Sequence, residues 1–193
     1  QTANEAIAFF PTDSGAASWD IEFHPNGRWF YFVDPQGGGF EVIDLDPFSP
    51  NFATSVLGIP GVAGQNVQDV AFRKDGRGVW ALTRDGGLGG QWNLWLGEFT
   101  DSPADVAFQT SQTVEVASPT GRAQLELHPN GRRAAVIIPE RRVAYLDLEP
   151  SFEAGNPDLF RNNFDITSLG LFSFAGVWAP DGDRFYGVEQ TDS

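Results

Sequence analysis

Two histidines, His24 and His128, are the side chains of this sequence best suited to moving a proton near neutral pH. Each stands directly before Pro-Asn-Gly, at Pro25-Asn26-Gly27 and at Pro129-Asn130-Gly131. One residue type recurring at one place in a motif points to a structural task, such as an imidazole hydrogen bond across the turn. As general bases the two would lie in separate structural units, too far apart to cooperate. Carboxylates come in pairs two residues apart, Asp44 with Asp46 and Asp181 with Asp183. Residues two apart on a strand share a face, so Asp44 and Asp46 could chelate calcium; Asp181 and Asp183, on either side of Gly182, are the other candidate pair. Two Gly-rich stretches, 34–39 and 85–91, resemble calcium-binding Gly/Asp repeats. Hard cations want six to eight oxygens, and these stretches offer one carboxylate each, Asp34 and Asp85. They read as hairpin turns whose aspartates are candidate binding residues. Trp92 follows the second stretch and is expected to be exposed, at a surface for protein or glycan.

Other chemistries are excluded by what the sequence lacks. The chain has no cysteine, which removes disulfides, thiolate metal sites and cysteine nucleophiles. Gly-x-Ser-x-Gly, the sialidase-type Asp box and a phosphate-binding Gly loop ending in Lys-Ser/Thr are all absent. No Asn-x-Ser/Thr sequon occurs. The net charge is −14, with one lysine, Lys74. Such a surface repels nucleic acid and anionic lipid. No run of about 18 apolar residues exists to span a membrane. The sequence opens on Gln1-Thr2-Ala3 and contains no methionine. It is therefore expected to be a processed product or a segment of something longer, of extracellular, cell-surface or periplasmic location.

The elements that would position these residues form a repeat. Four segments share one pattern: 19–33, 67–82, 123–137 and 174–188. Their turn glycines, Gly27, Gly76, Gly131 and Gly182, lie 49, 55 and 51 residues apart. Each copy begins with alternating apolar residues, as in Ile21 and Phe23, Val70 and Phe72, or Leu125 and Leu127. An Asn-Gly or Asp-Gly turn follows, supplying the positive φ that a tight hairpin needs. A more hydrophobic strand comes next, then a third at 40–45, 93–99 or 143–148. A fourth, weaker strand is expected at 53–57, 110–116 and 164–169. The connection 149–163 is long, and long loops on rigid scaffolds often carry binding.

Four antiparallel strands recurring every 50 residues or so are the signature of β-propeller blades. High aromatic content, 13%, with 22 glycines and 13 prolines, fits an all-β protein. The blade units are 17–62, 63–118, 119–170 and a partial 171–193. Residues 6–10 form a strand of a preceding or closing blade. The chain thus holds about 3.5–4 blades of an incomplete or partner-completed propeller. Its partner is the remainder of the same polypeptide or another chain.

At the strand–Pro-(Asn/Asp)-Gly–strand core the chain resembles the YVTN and lactonase-like propeller repeats and the related WD40-like repeats. The nearest piece is Phe23-His-Pro-Asn-Gly-Arg-Trp-Phe-Tyr-Phe-Val33, followed by Phe40-Glu-Val-Ile-Asp-Leu-Asp46. Leu127 to Arg132 and Trp178 to Gly182 repeat it, so the pattern covers most of 19–189. The superfamily includes lactone hydrolases, surface-layer proteins and binding modules. The lactonase motif implies a His before the strand that leads to His-Pro-Asn-Gly, and a Glu after the following strand. Asp20 and Pro35 stand there in the first blade, and Gln124 and Pro139 in the third. The expectation is therefore a non-enzymatic binding or scaffold module without a cofactor. The alternative is part of a lactonase-like hydrolase whose catalytic residues lie outside this chain.

Overall fold

The computed structural model describes residues 20–34, 39–59, 61–86, 90–100, 105–115, 123–138, 142–148, 160–165 and 172–190. The expected strand at 6–10, most of the connection after Leu148, and Pro35 and Pro139 lie outside these residues. Among the described residues every regular element is a strand. Blade 1 comprises β1 (Asp20–Phe23), β2 (Trp29–Asp34), β3 (Gly39–Asp44) and β4 (Ser55–Ile59). Blade 2 comprises β5 (Asn66–Phe72), β6 (Gly78–Arg84), β7 (Trp92–Phe99) and β8 (Val106–Glu115). Blade 3 comprises β9 (Gln124–Leu127), β10 (Arg133–Ile138), β11 (Arg142–Asp147) and β12 (Phe160–Asp165). Blade 4 is the pair β13 (Phe172–Trp178) and β14 (Phe185–Gln190). Each of the first three is an antiparallel sheet with its strands in chain order. The β-propeller reading of the repeat holds.

The fourth strands sit less regularly than expected. In blade 3 the described strand is Phe160–Asp165, beginning four residues before the expected 164–169, of which 166–169 lie outside the described residues. Phe160 and Phe164 stand opposite Leu146 and Val143 in the register of β11 and β12. A register shift between Tyr145 and Leu146 accommodates it.

The core is divided by blade interfaces. Tyr31, Val33, Phe40 and Val42 of blade 1 meet Val70, Phe72, Val79 and Ala81 of blade 2. Trp80, Leu82, Leu94 and Leu96 on the other face of blade 2 meet Leu125, Val136 and Leu146 of blade 3. Ile137 and Val143 then meet Trp178 and Phe185 of blade 4. A single blade has two apolar faces, so each needs its neighbours.

Polar side chains fix the stagger between blades. His24 accepts the Asn26 amide on Nδ1 at 3.2 Å, so its proton sits on Nε2. That N–H donates to the Gly76 carbonyl in the next blade's turn at 2.9 Å. His128 does the same, accepting from Asn130 at 3.1 Å and donating to Gly182 O at 3.0 Å. Blade 2 carries Arg73 at this place, and there Lys74 reaches the Pro129 carbonyl. A second set lies on the first strands. Asp69 accepts the Leu125 amide at 2.6 Å and the Val70 amide at 2.8 Å. Gln124 accepts the Gly176 amide at 3.2 Å. The repeated histidine is thus a clasp within its own turn and across to the next blade.

Gly182 adopts φ +77°, and a Cβ there would stand 2.5 Å from the His128 ring. Gly182→Ala is expected to destabilise the fold by about 2 kcal/mol, from left-handed backbone strain plus the clash. His128→Ala is expected to cost about 1–2 kcal/mol, for the loss of one half-buried and one exposed hydrogen bond. Urea unfolding measures both. Combining the substitutions should give less than the sum of the single effects, because they share one contact.

Candidate functional site

The connection between β3 and β4, Leu45 to Thr54, is the most completely built loop among the described residues. It starts from Asp44, whose side chain is 2% exposed. Arg28 reaches that carboxylate with two nitrogens, Nε to Oδ1 at 3.2 Å and an Nη to Oδ2 at 3.0 Å. Asp44 Oδ1 also accepts the Asp46 amide at 2.9 Å. Arg28 itself stacks on Trp29, 4.6 Å from its ring centroid, and lies 3.8 Å from Asp46. The guanidinium holds the Asp44 carboxyl down at about 2, below its ordinary 3.8, against the upward push of burial.

The loop then closes on itself. Asp46 Oδ1 accepts the Phe48 amide at 2.9 Å, and Asp46 O accepts from Ser49 at 2.9 Å. Asn51 donates to Ser49 Oγ at 3.2 Å, and Phe52 donates to Ser49 O at 3.1 Å. Thr54 N and Oγ1 both donate to Asn51 O, at 3.1 and 2.7 Å. Ala53 returns to Asp44 O at 2.8 Å. Every non-proline amide from Asp46 to Thr54 therefore donates to a protein acceptor. Pro47 and Pro50 fix two of the remaining φ angles. Ala53 takes a left-handed φ of 60°, a conformation that costs a residue with a Cβ about 1 kcal/mol. On this framework Phe48 is 95% exposed and Phe52 is 44% exposed. Residues 47–55 carry no charge, in a chain of net charge −14.

The carboxylates singled out in the sequence are placed as follows. Asp44 and Asp46 are brought together, but the group between them is the Arg28 guanidinium. Asp181 accepts the Asp183 amide at 3.0 Å. Asn26, Asp75 and Asn130 make the same side-chain turn with Arg28, Arg77 and Arg132. Asp181 is thus a turn residue of the repeat, and its partner Asp183 is exposed. Asp34 closes β2 opposite Gly39. Asp85 is exposed, and its amide donates to Gln91 O at 3.0 Å. Among the described residues no three His, Asp or Glu side chains gather as a metal site would require.

Trp92 departs from expectation. It is 0% exposed. It opens β7 on the same side as Leu94 and Leu96, the side packed on blade 3. Arg84, directly opposite it, lies over the ring at 5.6 Å. The alternation Trp92, Leu94, Leu96 was the signal for burial, masked by the preceding Gly-rich stretch. Conversely Phe48 was not singled out. Its signal was an aromatic between two prolines, outside any alternating run.

No protein-family profile matches the chain, and no curated protein matches it. Solved structures do. The chain is similar to the Kuenenia stuttgartiensis hydrazine synthase at 14% identity and TM-score 0.60, covering 86% of this chain and 54% of that one. It is similar to a candidate 6-phosphogluconolactonase from Bacteroides uniformis at 16% identity and TM-score 0.60, covering 86% and 48%. It is similar to the β-propeller domain of Cps50 (Swd1) from Myceliophteria thermophila at 15% identity and TM-score 0.56, covering 89% and 49%. The chain spans about half the length of these structures. At such identities the likeness is one of fold, and the fold is the β-propeller.

A carboxyl depressed in the folded state stabilises above its unfolded value and loses that contribution as pH falls through its folded value. The urea midpoint of the chain is therefore expected to drop between pH 4 and pH 2. Asp44→Asn should start lower at pH 5 and fall less across that window. Parallel pH profiles would show that the Arg28–Asp44 pair contributes nothing. Ala53→Gly should raise stability by up to about 1 kcal/mol by relieving the left-handed backbone.

Proposed function

We propose that this chain is a non-enzymatic β-propeller module of an exported or cell-surface protein, and that it binds a protein partner through its loops. The observation that carries the reading is Phe48, fully exposed on a loop whose amides are all bonded. An aromatic held ready on a rigid loop loses little conformational entropy on binding. Buried aromatic anchors dominate the energetics of protein interfaces. Three groups able to do acid–base chemistry are engaged elsewhere: His24 and His128 clasp blades, and Asp44 anchors the loop. The absence of charge over residues 47–55 suits an apolar pocket on the partner. The wider acidic surface disfavours nucleic acid and anionic lipid. Among the described residues no helix is long and apolar enough to cross a membrane. The reading assigns the module no cofactor.

Three measurements test it. The chain should not hydrolyse 6-phosphogluconolactone above the buffer rate; saturable turnover would overturn the non-enzymatic reading in favour of a lactonase-like hydrolase. Millimolar calcium should leave the melting temperature unchanged, and a rise of several degrees would restore a cation role. Phe48→Ala should leave the melting temperature within about 1 °C, since an exposed side chain contributes little to folding. A substantial drop would mean that Phe48 packs within its own fold.

A further inference from the structure

The four turns that join first strand to second fall into two chemical kinds. His24 and His128 precede Asn26-Gly27 and Asn130-Gly131. Arg73 and Ala179, at the same place in the repeat, precede Asp75-Gly76 and Asp181-Gly182. Asparagine stands where a histidine comes before it, and aspartate stands where none does.

The backbone of the four turns is the same. Each glycine has a φ between +69° and +77°. Each glycine amide donates to the carbonyl three residues before it, at 2.8 Å. In each turn the Asn or Asp Oδ1 accepts the amide two residues on, at 2.9–3.0 Å. Either residue therefore serves the turn as an acceptor. What separates the two kinds is the imidazole. His24 Nδ1 accepts the Asn26 amide at 3.2 Å, and His128 Nδ1 accepts the Asn130 amide at 3.1 Å. The side chains of Arg73 and Ala179 have no acceptor to offer.

Asparagine before glycine carries a chemical liability. The glycine nitrogen attacks the asparagine Cγ, an N–C bond forms, and the Cγ–Nδ2 bond breaks. Ammonia leaves, carrying the proton that the glycine nitrogen gave up. Water then opens the cyclic imide at one carbonyl or the other, giving aspartate or its β-linked isomer. Glycine favours the attack because it has no Cβ to crowd the nitrogen. Asn26 and Asn130 are both exposed, so water reaches them. The attack requires the glycine amide to leave its carbonyl and the asparagine side chain to leave the amide that it holds, so the turn must open.

We propose that Asn26 and Asn130 are latent deamidation sites, and that the histidine before each holds its turn shut against the reaction. The ring keeps the asparagine amide on Nδ1 and donates from Nε2 to the next blade. Both nitrogens are thus engaged, and neither is left to take the glycine proton. The two turns without the ring carry aspartate, which has no amide to lose. The β-linked product would lengthen the main chain inside the turn and pull the imidazole from the neighbouring blade.

Peptide mapping of the full chain, incubated at pH 8 and read by mass spectrometry, follows amide-to-acid conversion at each asparagine. Both conversions should run at least about tenfold slower in the folded chain than in urea, because the reaction waits on local opening. His128→Ala should speed conversion at Asn130 by about fivefold or more, through a more populated open turn, and leave Asn26 alone. His24→Ala should do the reverse. His128→Asn, whose Oδ1 stands in for Nδ1, should return Asn130 to its slow rate although it cannot reach Gly182. Equal rates in the folded and unfolded chain would overturn the proposal. So would an alanine variant that leaves its own asparagine unchanged, or one that speeds both asparagines equally. Asn130→Asp should keep the parent's urea midpoint. A large drop would mean that the turn needs asparagine for its own stability, and the pairing of histidine with asparagine would have that cause instead.

Discussion

The structure depends on the bond that each blade makes to the backbone of the next. A blade is a sheet with two apolar faces, and apolar packing is non-directional, so it sets the stagger of neighbouring sheets only loosely. The clasps remove that freedom. His24 to Gly76, Lys74 to Pro129 and His128 to Gly182 tie turn to turn, and Asp69 to Leu125 and Gln124 to Gly176 tie first strand to first strand. Directional bonds at two places on each of the last two interfaces set the stagger. The Asp69 carboxylate is wholly buried, and the Leu125 and Val70 amides that it accepts offset the cost of removing it from water.

Fixing the stagger has a consequence at the rim. The turn that presents His24 to blade 2 also presents Arg28 to Asp44. The clasp and the ion pair lie at opposite ends of one Pro-Asn-Gly turn. Asp44 in turn holds both ends of the loop that carries Phe48, through Asp46 N at the start and Ala53 N at the finish. A rigid path of hydrogen bonds thus runs from the blade interface to an exposed aromatic. The left-handed Ala53 fits this account, because the surrounding bonds hold a residue where glycine would be easier.

The parts legible in the sequence were those governed by local chemistry. Asn-Gly and Asp-Gly at near-constant spacing gave the blade count, and the histidine before Pro-Asn-Gly gave a structural bond. Half of that bond was visible, the half inside the turn. The half that crosses to the next blade joins residues 52 positions apart, which no local pattern announces. Burial was harder to read where a strand meets a Gly-rich stretch. Trp92 looked like a loop residue, yet its alternation with Leu94 and Leu96 places it in the core. Asp44 and Asp46 looked like a pair open to a cation, because sequence distance hid Arg28 sixteen residues away. Phe48 was overlooked because an aromatic outside a strand pattern gives no periodicity to read.

Blade 4 departs from the repeat at the places the clasps use. Where Asp69 and Gln124 accept a neighbour's amide, it has Ala175. Where His24 and His128 donate to a neighbour's turn, it has Ala179. Neither alanine can reach across to a following blade. Its inward face is nonetheless complete, with Gly176 N and Gly182 O both bonded to blade 3. Among the described residues, the face of this blade toward blade 3 is clasped, and the alanines at the two clasp positions leave its own side without the repeat's clasp groups. A further blade stacked face to face would lack the bonds that set the stagger at the three interfaces within the chain.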